Sequence, residues 1–464
     1  MSSDSQPSET HANQPGSVHL RRSMGLAAAT SMVVGIIVGA SIFVQPSEVT
    51  RLAQSGRGVV LVWLASGILT LCAALVCAEL ASIFPETGGL YVFLKRIYSP
   101  ALAFLWGWTM LWTLHTGILA AIAVVLARYA GHFFALGEAG IRGVAMAAIL
   151  IVSLVQYLGV KLGSAVQVTL TVAKLAAVAA ICAVLFGFGG AAHNSLPAEA
   201  AQPIHLTLFG LAVSAGLFAF GGWYHVSYVA GEVRDPARTI PRALIAGVLI
   251  VTACYALLNA AYLHVMPLSE VAHSTRVAAD ATARILGAPG EAAITLVIIV
   301  SALGALNGIA LAGPRVYYAM AQDGLAFRWM GAVHPRRQTP YLAIAVQAGW
   351  ACILAATNSY RALFNRVIYT EWLFFALLAA GIFILHSRGQ YRPRYLKPAY
   401  PLIPAVSLVT SLAIVANQVL DEPRDSIFGL GLILLGLPVY FIWSHRSTTQ
   451  AAKEASTNAD HRLP

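Results

Sequence analysis

Charge is what this sequence has least of. Lys, Arg, Asp and Glu together make up 10% of 464 residues, where a soluble domain carries about 25%. That excludes a soluble enzyme, a disordered chain and a nucleic-acid binder with a membrane tail. Cysteine is also scarce. The five residues Cys72, Cys77, Cys182, Cys254 and Cys352 lie in apolar runs with no CxxC spacing, so neither a disulfide framework nor a metal site is indicated. There is no GxxxxGK[ST] loop, which argues against an ATP-driven pump, and no loop long enough to hold a soluble domain. Residues 1–22 contain no apolar run before Met24; they read as a disordered tail rather than a cleaved signal.

Apolar residues, in contrast, make up 58% of the chain. A bilayer-crossing helix needs about 20 mostly apolar residues. Twelve stretches qualify: 24–45, 58–83, 101–128, 140–160, 165–189, 206–230, 242–265, 290–318, 341–357, 361–386, 402–420 and 426–444. They predict an all-α polytopic membrane protein with about 12 transmembrane helices. With the N-terminus cytoplasmic, 19 of the 29 Lys and Arg fall on the cytoplasmic side, nine on the other, and Lys174 inside a span. This bias places both termini in the cytoplasm of a cell (inner) membrane. It also accounts for the formal charge of +10 without a nucleic-acid partner.

Two spans are interrupted. The first reads VVGIIVGASIF, the sixth SAGLFAFGGWYHV. Each Gly inside a helix costs about 1 kcal/mol relative to Ala. One such cluster reads equally well as close helix packing. Two at matching places in halves of five spans point to a transporter with inverted repeats. Unwinding near mid-membrane frees N–H and C=O groups that lipid cannot satisfy, so they must line a cavity or meet a ligand. A half-helix N-terminus suits a carboxylate and a half-helix C-terminus suits an ammonium. The pair fits an α-amino acid.

Four stretches carry a resemblance: GIIVGASIFVQP, CAELASIFPETGGLYVFL, SAGLFAFGGWYHVSYVAGEVRDPARTIPRAL and SALGALNGIALAGPRVYYAMAQDGL. In this order they are similar to the amino acid–polyamine–organocation (APC) superfamily, in particular its bacterial amino acid permeases related to the L-type transporter light chains. The resemblance implies a 5+5 inverted repeat with helices 1 and 6 broken, plus two C-terminal helices. The division is then 1–22 cytoplasmic tail, 23–189 first repeat, 206–386 second repeat, 387–445 helices 11 and 12, and 446–464 cytoplasmic tail. It also implies that the backbone of Gly39, Ala40 and Ser41 receives the substrate carboxylate. The carbonyls of Ile37, Phe218 and Gly221 would receive the ammonium, and the Phe218 ring would close over the substrate. The usual Gly-Ser-Gly of the family reads Gly39-Ala40-Ser41 here, with one Gly gone and the hydroxyl moved by one place, which restricts the backbone.

Lys174 lies mid-span, where a lysine costs at least ~2.5–3.5 kcal/mol on insertion scales and is functional by default. By resemblance its ammonium takes the place of a sodium ion, bridging span one near Gly39 to span eight at Ser301; carrying a coupling proton is the alternative. Glu79, in the AEL stretch, is expected to have a structural partner. Glu371 lies in span ten beside Trp372 and near Tyr369, where relatives line the side-chain end of the pocket. It favours a basic substrate, accepts a proton or pairs with a neighbour. His115 and His225 are each either hydrogen-bonded structure or a proton relay. Glu232, Arg234, Asp235 and Arg238 form either gating ion pairs or a solvated loop.

The expectation is a secondary transporter for a neutral amino acid, working by exchange or proton symport without sodium. A cationic amino acid or polyamine carrier of the same fold is the alternative. No covalent chemistry, cofactor, metal, nucleic acid or obligatory protein partner is expected; the partners are the substrate, membrane lipid and, for symport, protons.

Overall fold

The computed structural model describes residues 20–39, 41–190, 205–357, 360–389, 391, 393 and 399–443, with the side chains of 360–369 left aside. Ala40, the Tyr369 side chain and most of both tails lie outside the described residues. Among those described there is no β-strand; one isolated bridge joins Met24 and Val233.

The first span is two helices, α1 (Leu26–Ile37) and α2 (Ser41–Ala53), meeting at 52°. It ends at Ala53 rather than at residue 45, and on its polar last turns Arg51 pairs with Glu48 at 2.5 Å. Next come α3 (Gly56–Ile83), capped by the Ser55 hydroxyl accepting from the Gly58 N–H, and the short α4 (Leu90–Ile97). A span, α5 (Pro100–Ala130), then opens on a Ser99 cap with Pro100 in its first turn. A π turn at Met110–Leu114 widens α5 just before His115; such bulges re-aim the residues that follow and gather at functional sites.

The chain continues through α6 (Glu138–Leu158), α7 (Val160–Phe188) and α8 (Leu206–Ala219). After α8 the helix breaks at Phe220–Gly222 and resumes as a 3-10 segment, Trp223–Glu232. Then follow α9 (Pro236–Val265), two short helices α10 (Leu268–His273) and α11 (Val277–Leu286), and the 35-residue α12 (Ala288–Gln322). The last four are α13 (Tyr341–Thr357), α14 (Tyr360–Ser387), α15 (Leu402–Asp421) and α16 (Pro423–Trp443).

Among the described residues ten helices are long and apolar enough to cross a membrane, eleven with the bent α1–α2 pair, and α13 is a shorter apolar helix. The molecule is an all-α polytopic membrane protein. Its core is assembled by close backbone approach, as expected where lipid removes the hydrophobic drive between helices. A Cβ on Gly67 of α3 would come within 2.3 Å of Thr252 on α9, and one on Gly247 of α9 within 2.4 Å of Val33 on α1. Large apolar side chains on the outer faces, such as Leu150, Ile151 and Leu154 of α6, are exposed, ready for lipid.

Candidate functional site

Both breaks open onto one cavity of about 300 Å3. Ile37, Gly39 and Ser41 line it from the first break, and Phe218, Gly221 and Gly222 from the second. Tyr224 and His225 follow the second break, and Glu371, Trp372 and Phe375 face them from α14. The cavity extends along α2 (Val44, Gln45) and the second half of α5 (Ile118, Val125), away from the end where α1 begins. Phe218 is 41% exposed, so its ring stands at the cavity rather than buried over it.

The break residues have local reasons for their shape. Gly222 has φ +97°, a left-handed conformation that favours glycine. Its Cα also abuts α1: a Cβ there would lie 2.4 Å from Ile36 Cγ2. At the first break the Gly39 N–H turns back to the Ile37 carbonyl at 2.7 Å. That carbonyl also accepts from the Tyr255 hydroxyl at 2.9 Å, which lies 3.2 Å from the Ala219 carbonyl at the second break. Tyr255 thus ties the two breaks together from α9. The Phe218 carbonyl accepts from the Gly221 N–H at 3.3 Å. The free first-turn N–H groups of α2 begin at Ser41.

Behind the cavity, Lys174 of α7 is buried and uses all three ammonium protons on backbone carbonyls. They go to Gly35 at 2.9 Å, Val38 at 2.8 Å and Ser301 at 2.9 Å. The Ser301 hydroxyl donates to Val38 at 2.7 Å. Lys174 and Ser301 therefore meet at the C-terminal end of α1 and clamp it to α12. Lys174 does not line the cavity.

Glu371 is nearly buried, and the Tyr224 hydroxyl donates to its Oε1. His115 and His225 come together edge to edge: their Nε2 atoms are 2.6 Å apart, with ring centroids 4.7 Å apart and planes 17° from parallel. His225 Nδ1 lies 2.8 Å from the Gly222 carbonyl. His225 lines the cavity; His115 stands behind it, fully buried.

At the end where the chain begins, charged side chains pair across elements. Glu232 and Arg315 form a bidentate ion pair at 2.8 and 3.0 Å, both fully buried. Ser23 and Met24 donate backbone N–H groups to the Glu232 carbonyl at 2.9 Å each. Asp323 accepts from Lys95 at 2.6 Å and from the Tyr91 hydroxyl at 2.7 Å. Desolvation and that carboxylate raise the Tyr91 phenol above its ordinary range. The two readings of the loop after span six thus divide: Glu232 is interred in an ion pair, while Asp235 and Arg238 are an exposed pair at 3.8 Å.

Arg315 sits inside α12 at full burial, because Glu232 compensates it. Glu79 is fully buried, and the partner expected for it is the Tyr391 phenol. Tyr224, Tyr255 and Gln347 escaped the sequence reading, since an aromatic or an amide in an apolar run signals nothing until its partner is known.

The family profile described as amino acid permease matches residues 24–439. The serine/threonine exchanger SteT of Bacillus subtilis is 31% identical over 426 residues, 91% of this chain and 97% of the relative. Human b(0,+)-type amino acid transporter 1 is 31% identical over 442 residues, 94% of this chain and 90% of the relative. The human cystine/glutamate transporter is 28% identical over 447 residues, 94% and 88% of the two chains. With motifs, helical architecture and end-to-end similarity in agreement, the chain belongs to the amino acid permease family of the APC superfamily.

Proposed function

We propose that this protein is a secondary transporter that carries a neutral amino acid across the cell membrane by alternating access, without sodium, by exchange or with protons. The observation that carries the reading is the cavity between the two broken helices, which residues of both breaks line together. Residues 23–189 and 206–386 act as inverted repeats that rock around this site, with 387–445 as an added helix pair and both tails in the cytoplasm. Gly39, Ala40 and Ser41 hold the carboxylate; Ile37, Phe218 and Gly221 hold the ammonium; Tyr369 and Trp372 flank the side chain. The Lys174 ammonium already fills three carbonyls of the kind a sodium ion would use, which supports sodium independence. A neutral substrate is favoured because Glu371 is engaged by Tyr224, and SteT, named a serine/threonine exchanger, is similar over most of both chains.

A second reading, a cationic amino acid or polyamine carrier, has one observation in its favour: Glu371 is an acid in the cavity wall. The test is counterflow in proteoliposomes with the twenty amino acids and a set of polyamines, with sodium and with choline. Neutral amino acids should exchange equally in both salts, and Ser41→Leu should abolish their binding. A sodium requirement would remove the role given to Lys174. If Glu371→Gln selectively impairs cationic solutes, the second reading wins.

A further inference from the structure

We propose that His115 and His225 form a two-state site that binds one proton, wired by the Gln347 amide at one end and the Gly222 carbonyl of the second break at the other. For its role in coupling, the proposal rests on the transporter reading above.

Four ring nitrogens have to be accounted for. His225 Nδ1 is 2.8 Å from the Gly222 carbonyl. A carbonyl only accepts, so this nitrogen carries a proton. The two Nε2 atoms are 2.6 Å apart, so one proton lies between them. The fourth nitrogen, His115 Nδ1, is buried without a partner, and so is Gln347 Oε1. Both stand against the same point of α12: a Cβ on Gly313 would meet Gln347 Oε1 at 2.0 Å and His115 Nδ1 at 2.3 Å. Only glycine leaves room for the two to meet.

That leaves two complete hydrogen-bonding schemes. With the Gln347 oxygen toward His115, Nδ1 must donate, the two rings hold three N–H protons, and the pair carries one positive charge. With the amide turned over, its NH2 donates to a bare Nδ1, the rings hold two protons, and the pair is neutral. The states differ by one proton and one amide rotation, and in both all four ring nitrogens are paired.

The charge would be felt at the substrate cavity. Tyr224 stacks on His225 at 4.4 Å and donates to Glu371, so the His225 end of the pair lies one ring away from the carboxylate in the cavity wall. Tyr228 packs edge-on to both imidazoles, with Cys77 of α3 and Tyr317 of α12 beyond it. Arg315 of α12 is neutralised by Glu232. The Gly222 carbonyl, at the second break, holds the His225 Nδ1 proton in both states.

The test is 15N NMR of ring-labelled histidine in the full-length protein in lipid nanodiscs, with His115→Gln and His225→Gln to assign signals among the 13 histidines. The two rings should titrate together and take up one proton in the imidazole window of about pH 5 to 8. Rings that stay neutral to the bottom of that window, or that take up two protons independently, overturn the proposal. Gln347→Glu, which fixes an acceptor opposite His115, should raise the midpoint by about one pH unit or more; Gln347→Leu, which removes it, should lower the midpoint. No shift in either refutes the wiring. An NMR titration with one shared proton alongside a silent amino acid panel would sink the transporter reading and leave this one standing. Active exchange with neutral rings would do the reverse.

Discussion

Lys174 and Gly222 are the two residues whose roles are most local. Removing the Lys174 ammonium leaves the Gly35, Val38 and Ser301 carbonyls without their charged donor, and each hydrogen bond to a charged group contributes about 1.5–3 kcal/mol. Lys174→Ala should therefore reduce exchange at least about tenfold at equal protein per liposome; a wild-type rate would show that the clamp between α1 and α12 is dispensable. Gly222→Ala meets both a positive φ and the Ile36 side chain. It should cost about 1–3 kcal/mol, read as a drop in Tm in detergent. Gly221→Ala is the control, since a Cβ there meets nothing nearer than the Phe218 carbonyl at 3.4 Å and Gly221 lacks a positive φ. Equal losses in the two variants would show that the second break is held by something other than Gly222.

Among the elements, α12 carries the most. It supplies Ser301 to the Lys174 clamp, Gly313 beside the histidines and Arg315 to the buried ion pair with Glu232. Pro314 within it removes one backbone donor just before Arg315, whose own Nη1 donates to the Leu311 carbonyl at 2.7 Å. Breaking a buried pair by removing one charge typically costs about 3–5 kcal/mol, whereas replacing both partners by apolar residues is often neutral. Glu232→Gln should accordingly lower Tm by several degrees, and the double substitution with Arg315→Met should recover much of the loss. A single variant as stable as the parent would mean that the pair is not what holds the 3-10 segment against α12.

At the scale of the whole molecule, ion pairs hold the end where the chain begins, and the cavity extends along α2 and the second half of α5. Val44 lines that cavity and is 52% exposed. In a cysteine-free background, Val44→Cys should react with a membrane-impermeant maleimide applied outside intact cells, and substrate should slow the reaction. Labelling only from the side of the termini would reverse the orientation drawn from the Lys and Arg bias. What the sequence determined alone was the class of architecture and the place of the breaks. Apolar run length and glycine clusters are properties of contiguous residues, and the bilayer imposes them segment by segment. The placement of Lys174 mid-span was equally local. Only the tertiary structure decided which distant groups meet: Arg315 with Glu232, Tyr255 with both breaks, His115 with His225 and Gln347. Those pairings join segments 36 to 232 residues apart, and a buried polar residue reveals its role only through the partner that packing brings to it.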